Sequence, residues 1–387
     1  MHIVKVQDKY SQREFYQFPA QLYRDKQQWV PLKSQEVDQC FETERDGFPK
    51  ASEVCRWILQ NYRGATIGRI AAFVDRQEKS AVGYLGFFEC IEHEKAAVKL
   101  LEEGSHWLQQ RGVAIVNAPV NPTTLFLKAG LLTQGFEDSP GYTSNYHPDY
   151  YQKYFESFGF VKHLSQQTLR FKVDELNLPQ SVQKKAQAVL YNKEFKIAFF
   201  QKDKLEKMSK DIADVYNPAW ESSPVFYPLS KPQIQSELQE LLPWIDENVF
   251  LLAYYQQQAV GFFFNLPDLN QPRRLARSGI FKKVREAYFR KIKHKHLLSV
   301  LLGVLPEFQS RGVGSALIKA VVDHLKSSKS NYTAIETNRI GDDLTAARKL
   351  VKQFSGKVHQ EYWIYERQLS PNSKKSAELT NQSSAEK

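Results

Sequence analysis

An α/β fold, built on a mixed α+β sheet and present twice in tandem, is what this sequence predicts, and three observations carry the prediction. With 387 residues, 42% of them hydrophobic, the chain can bury two cores more readily than one. Strand-like and helix-like stretches follow one order in residues 1–173 and again in residues 195–369. Short segments also match between the halves at nearly the same separation: "ATIGRI" with "QAVGFF" through Gly68 and Gly261, and "FESFGFVK" with "VKQFSGKV" near Gly159 and Gly356.

In the first half, a short strand over Ile3 to Val6 leads into "SQREFYQFPAQLYR". This is a helix pattern that Pro19 should break, because proline has no N–H to donate and its ring crowds the preceding turn. "VCRWILQN" and "TIGRIAAFV", joined by a turn at Tyr62 to Gly64, read as a hairpin, and "VGYLGFFEC" as a third strand. "HEKAAVKLLEEGSHWLQQ" has apolar residues at helical spacing and stops at Gly112.

The second half repeats the order. "FKIAFF" is a strand, "KDKLEKMSKDIADVY" a helix, and "VFLLAYY" with "QAVGFFFNL" a hairpin. Leu297 to Leu305 predicts a strand followed by a helix from about Ser315. "YTAIETN" is the next strand, "DDLTAARKLVKQF" the last helix and "HQEYWIYERQL" the closing strand. Residues 174–194 are polar with one helix pattern and read as a linker, and residues 370–387 hold nothing to bury, which predicts disorder.

Fifty-three Lys and Arg against 43 Asp and Glu give a net charge of +10, which favours anionic ligands without reaching the density of a nucleic-acid-coating tail. Cys40, Cys55 and Cys90 have no zinc-ligand spacing, and the N-terminus has no hydrophobic signal segment. A reducing, cytoplasmic setting follows as the expectation. No stretch approaches the roughly 20 apolar residues of a membrane-spanning helix. The histidines have no carboxylate partners at useful spacing, so no metal is expected.

The segment "LLGVLPEFQSRGVGSALIKAVVDHL" places Gln309, Ser310, Arg311, Gly312, Val313 and Gly314 between a strand and a helix. Amides at a helix start lack intrahelical acceptors and carry the positive end of the helix dipole, so an anion suits them. Glycines there let a bulky phosphate approach the backbone, and Arg311 adds charge at the rim. The Gly-Lys-Ser/Thr ending of a P-loop and the three-glycine dinucleotide fingerprint are both absent. Two glycines alone also fit a tight connection in which they serve packing only.

"VLPEFQSRGVGSALI" resembles the acyl-coenzyme A binding motif of the GNAT superfamily of N-acyltransferases, Gln/Arg-x-x-Gly-x-Gly/Ala after the fourth strand. Gln309, Gly312 and Gly314 stand at its spacing, after Val304-Leu305-Pro306 and before Leu317. The order of strands and helices over 195–369 is similar to the rest of that fold, and the first half resembles it more distantly. The resemblance therefore implies two GNAT-like domains in tandem, the first degenerate.

What the resemblance further implies is an opening between the fourth and fifth strands of the second repeat, occupied by the pantetheine arm of acetyl-coenzyme A or another acyl-coenzyme A. Leu302 and Val304 would offer backbone groups to the arm, and amides of Gln309, Ser310, Arg311, Gly312, Val313, Gly314 and Ser315 would bind the pyrophosphate. Asn338 matches an asparagine near the coenzyme. The reaction would be direct transfer of the acyl group to an amine, which needs a base to free the nucleophile. Glu336 could be that base, or a structural or outward-facing carboxylate. The family's thiol-protonating tyrosine falls here at Leu350 or Val351, a departure that favours a rival: a non-catalytic coenzyme-binding or interaction protein on the same scaffold.

The matching junction in the first half, "GYLGFFECIEHEKAAVKL", has no glycine turn and puts Glu89, Glu92 and Glu94 near the helix start, where they would repel a pyrophosphate. This repeat is expected to support and shape the acceptor cleft. In its long connection, Tyr142, Asn145 and Tyr146 could reach an acceptor, a small-molecule or peptide amine, or the loop could simply pack on itself.

Residues 273–296, "RRLARSGIFKKVREAYFRKIKHKH", hold most of the net charge, with Glu286 as their only acid. Phe281, Val284, Tyr288 and Ile292 recur at helical spacing, which predicts a basic amphipathic helix. A solvated helix packed on the core, a peripheral contact with anionic membrane and a contact with an acidic carrier or substrate stay open as readings. Nucleic acid is not expected, since no groove-reading motif accompanies the charge. Oligomeric state is open, because two repeats can satisfy within one chain a pairing otherwise made between copies.

Overall fold

The computed structural model describes residues 1–32, 37–38, 40–41, 53–74, 81–121, 128–221, 228–271, 294–354 and 356–369. The first half comprises β1 (His2–Lys5), α1 (Lys9–Leu22), β2 (Glu53–Gln60), β3 (Thr66–Val74), β4 (Val82–Cys90), α2 (Glu94–Gln109) and β5 (Ile115–Ala118). It continues through β6 (Val120–Asn121), β7 (Lys128–Ala129), β8 (Leu131–Gln134), α3 (Tyr150–Ser157) and β9 (Val161–Lys172). After α4 (Gln180–Leu190), the second half runs β10 (Phe195–Phe199), α5 (Leu205–Trp220), α6 (Lys231–Leu241), β11 (Leu251–Tyr255), β12 (Gln258–Pro267) and β13 (His296–Val304). It ends with α7 (Val313–Lys326), β14 (Ala334–Thr337), β15 (Ile340–Gly341), α8 (Thr345–Val351) and β16 (Lys357–Gln368). The mixed α/β architecture and its repetition are both present.

All the longer strands form one sheet in the order β1-β2-β3-β4-β5-β16-β9-β14-β13-β12-β11-β10. Read outward from its centre the order is the same on both sides. Each half has one parallel pair, β4 with β5 and β13 with β14, between strands that otherwise run antiparallel. The closing strands are exchanged. β16, last in the chain, pairs with β5 of the first half, while β9 pairs with β14 of the second. Each is 12 residues long, enough for β9 and β16 also to pair with one another down the middle.

The two matched glycines explain each other. A Cβ on Gly68 in β3 would lie 2.6 Å from Leu100 of α2, and one on Gly261 in β12 would lie 3.0 Å from Val313 of α7. In both halves the glycine lets the helix that follows the parallel strand settle close to the sheet.

Pro19 does not break α1, contrary to the expectation. Proline cannot donate to the Phe15 carbonyl one turn earlier, but Arg69 Nη1 donates to that carbonyl at 2.6 Å. Arg69 is itself buried and paired with Glu89 at 2.6 Å. Two helix bounds also differ. α7 begins at Val313 rather than Ser315, and α8 begins only at Thr345, after a turn over Asp342 and Asp343 that leaves the sheet at Gly341, which pairs with Gln166, with Asp342 N–H donating to Ser165 O at 3.1 Å.

The segment expected as a linker, 174–194, contains α4, whose Val182, Ala186 and Val189 are buried; Ala186 and Val189 join the core of the second half. The basic segment 273–296 lies outside the described residues apart from His294 to His296, and so does the tail 370–387.

Candidate functional site

The parallel pair of the second half comes apart. β13 and β14 are in register from His296 and Ala334 to Ser299 and Thr337, after which β14 ends and β13 runs on to Val304. A bulge starts the separation: Leu301 faces Phe264 and Ser299 faces Asn265, leaving Val300 with no opposite residue on β12.

Asn338 closes the floor of this gap. Its N–H donates to Ser299 O at 2.7 Å and its Nδ2 to Val300 O at 3.3 Å. Its Oδ1 accepts from the Thr143 hydroxyl at 2.9 Å and from Arg339 N–H at 2.9 Å. A loop of the first half thus fixes the floor of the gap in the second.

The wall of the gap is backbone. Leu305 N–H donates to Val260 O at 3.0 Å, which sets the parity of the strand: residues 303 and 305 turn their polar groups to β12. By alternation, Leu302 and Val304 turn theirs toward the gap. The Val304 carbonyl accepts from Gln309 Nε2 at 3.1 Å, so Gln309 ties the glycine turn to the end of the strand.

The turn itself runs through a short 3-10 segment, Pro306–Phe308, and reaches α7 through two left-handed residues, Ser310 (φ 65°) and Gly312 (φ 95°). Gly312 is required twice over, since a Cβ there would also lie 2.4 Å from the Lys185 carbonyl of α4. Packing alone accounts for this glycine. Gly314 is different: its Cβ position has only ordinary contacts, Leu302 at 3.7 Å and Val304 at 3.8 Å, beside the gap-facing strand. No side chain caps the start of α7. Val313 is buried in the core, Ser315 half-buried, and Ser310 and Arg311 exposed. The Arg311 guanidinium lies over the rings of Phe308, Tyr255 and Phe195 at 4.8, 5.5 and 5.9 Å. A bare helix start with an exposed cation beside it suits a diphosphate, and the gap-facing backbone suits an amide-bearing arm.

Glu336 lies on β14, one residue before the strand ends, and is buried. Arg170 on β9 donates to its Oε2 from Nε at 3.1 Å and from Nη2 at 2.8 Å. Oε1 has no hydrogen-bond partner and points toward Gly141. Burial pushes its carboxyl up to about 7, against the opposing pull of the Arg170 charge. Beside it, His359 Nε2 is 3.6 Å from Oε2. Reasoning from sequence named Glu336 but missed Arg170, His359 and Thr143, which come from the other repeat or the exchanged strands and leave no local signal.

Of the loop residues expected near an acceptor, Tyr142 packs against the second core, with Lys128 Nζ 5.4 Å from its ring centre. Asn145 and Tyr146 have structural partners: Asn145 Nδ2 donates to Lys128 O at 3.1 Å, and Tyr146 packs edge-on against Tyr23. Leu350 and Val351, at the position of the expected tyrosine, lie on α8. Among the described residues, no group of three or more His, Cys, Asp or Glu side chains is placed to hold a metal ion.

The corresponding gap in the first half is filled. β4 and β5 part after Tyr84 and Asn117, and β6 enters the space. A Cβ on Gly86 would lie 2.1 Å from the Val120 carbonyl, and Asn121 Oδ1 accepts from Phe87 N–H at 2.6 Å. The start of α2 is occupied too: His93 Nδ1 accepts from Ala96 N–H at 3.2 Å, and Glu94 sits in the first turn.

Comparison with known proteins agrees with this asymmetry. The profile of the Acetyltransferase (GNAT) family matches residues 210–356, all within the second half. A tandem GNAT protein from the clavulanic acid biosynthesis pathway superposes with a TM-score of 0.57 at 7% identity, covering 96% of this chain and 99% of its own. A GCN5-related glucosamine N-acetyltransferase region of a fungal multi-domain GH3 β-N-acetylglucosaminidase gives 0.53 at 11% identity; 95% of this chain spans 38% of that one. At such identities the likeness is one of fold. No curated protein matches the chain in sequence.

Proposed function

We propose that this chain, which shares the fold of a tandem GNAT protein and matches the Acetyltransferase (GNAT) family in its second half, transfers an acyl group from acyl-coenzyme A to an amine. The observation that carries this reading is the coincidence, in one half only, of an open gap, a gap-facing strand and an uncapped helix start at its end. Leu302 and Val304 hold the pantetheine arm through their backbone, and the amides of Ser310 and of Gly312 to Ser315 hold the pyrophosphate, since those of Gln309 and Arg311 already donate to the Leu305 and Phe308 carbonyls; the Arg311 side chain stands at the rim. Asn338 keeps the two strands apart. Acetyl-coenzyme A is the simplest donor, supplying a thioester that an amine attacks directly.

Glu336 serves as the base. Its free Oε1 is buried near the floor of the gap, and a carboxyl held at about 7 can accept a proton at neutral pH and release it again. The acceptor is a small-molecule or peptide amine reaching the gap past Gly141 and Tyr142. With no tyrosine at Leu350 or Val351, the thiolate leaves without help from that helix.

Among the described residues no helix is long and apolar enough to cross a membrane. A peripheral contact of 273–296 with anionic lipid is tested by flotation with and without anionic vesicles.

Calorimetric titration with acetyl-coenzyme A, followed by thiol release over a panel of amines, tests the reading. Binding with turnover is expected. Binding without turnover for every amine would favour the non-catalytic rival that the missing tyrosine suggests, and no binding would refute the site.

A further inference from the structure

The Glu336 region contains more than an ion pair. His359 is the extra residue of a bulge in β16, since Val358 faces Leu169 and Gln360 faces Thr168 on β9. The bulge turns its ring inward, to 6% exposure, between two carboxylates. Nδ1 is 3.2 Å from Asp138 Oδ2 and Nε2 is 3.6 Å from Glu336 Oε2. Asp138 is 52% exposed, so the row runs from a buried acid to solvent.

Its parts are held in place. Gln360 Nε2 donates to the Gly135 and Asp138 carbonyls at 3.2 and 3.3 Å, clamping the first half's loop onto the bulge. A Cβ on Gly135 would lie 2.4 Å from the His359 carbonyl. A purely structural arrangement would leave few polar atoms unpaired, yet Glu336 Oε1 and His359 Nε2 are both buried and without hydrogen bonds.

Resting on the reading of Glu336 as base, we propose that Asp138 and His359 hold its protonated form, with His359 as a positioning residue whose Nε2 accepts a hydrogen bond from the carboxyl. Asp138 fixes the proton of the neutral ring on Nδ1, which leaves the Nε2 lone pair facing Glu336. Glu336 takes the amine's proton on Oε1. Rotation of the carboxyl then presents that proton to Nε2, which accepts it in a hydrogen bond without taking it, because the ring is the weaker base. When product departs, Glu336 gives the proton to entering water and the carboxylate is restored.

The charged and titratable groups facing this pair are Arg170 on β9, His296 on β13, Asp268 beyond β12 and Asp138 in the loop. Burial, then Arg170, push His359 down to about 4, consistent with a neutral ring at rest.

The test needs no acceptor. In full-length protein labelled with 15N-histidine, His359 is expected to be neutral at pH 7 with its proton on Nδ1. A ring protonated on Nε2 or on both nitrogens overturns the proposal. In His359→Ala and in Asp138→Asn, the Glu336 carboxyl, followed by 13C, should titrate about one pH unit lower than in the wild type, because its protonated form loses a partner. An unchanged midpoint in both variants also overturns it. Failure of the enzymatic reading is separable: it would appear as acetyl-coenzyme A not binding, or as Glu336→Gln retaining full thiol release, whatever the state of His359.

Discussion

The gap between β13 and β14 and the gap between β4 and β5 arise in the same way and end differently. In both, a parallel pair separates at a bulge. In the first half the following residues turn back in: the Val120 carbonyl sits against Gly86, and Asn121 satisfies the bulged amide of Phe87. In the second half, Asn338 spans only the floor, and the backbone of Leu302 and Val304 stays turned toward the gap, where the Val304 carbonyl meets only Gln309 Nε2. The helix starts follow suit, one capped by His93 and carrying Glu94, the other bare behind Gly312. The difference between the two halves therefore lies in a handful of residues after the bulge, on a scaffold both share.

The comparison can be broken most directly at Gly314. Gly314→Glu should weaken acetyl-coenzyme A by more than about 100-fold in calorimetry, roughly 2.7 kcal/mol, by placing a carboxylate where the diphosphate belongs. Because its Cβ position is uncrowded, thermal stability should hold. The reverse pattern is expected at Gly86. Gly86→Ala drives a methyl into the Val120 carbonyl and should cost about 2–4 kcal/mol in denaturant melts while leaving coenzyme affinity unchanged.

Asn121→Ala sharpens the contrast, losing about 1–3 kcal/mol through the stranded Phe87 amide. Combined with Gly314→Glu, it should show no coenzyme binding, since emptying the first gap does not uncap α2.

The pH dependence of Glu336 tests the burial on which its assignment as base rests. Its carboxyl is raised from an ordinary 4.5 to about 7, so the folded state holds the proton more tightly than the unfolded state. Stability from this group is complete below about 4.5 and is lost as pH rises through 7. The melting temperature of the wild type should fall relative to Glu336→Gln over that window, and parallel curves would show that the group is not perturbed.

The repeat, the strand order and the glycine turn were legible because each is written locally, in alternation, helical spacing or a run of a few residues. Gly312 and Gly314 look equivalent in sequence, and only the position of Lys185 shows that one of them serves packing. Pro19 reads as a breaker until Arg69, from a strand far along the chain, satisfies the carbonyl that it cannot. The partners of Glu336 were illegible for the same reason. Arg170 and His359 arrive on strands that cross to the opposite half, and no periodicity encodes that crossing.

That exchange of closing strands sets different rules for the two ends of the first repeat. Its front is closed by its own residues, Val120 and Asn121. Its final strand is bound to the other half, because Arg170 holds Glu336 and β9 borders β14. The first repeat is thus masonry for the second, and cutting the chain between the two would take a wall from each.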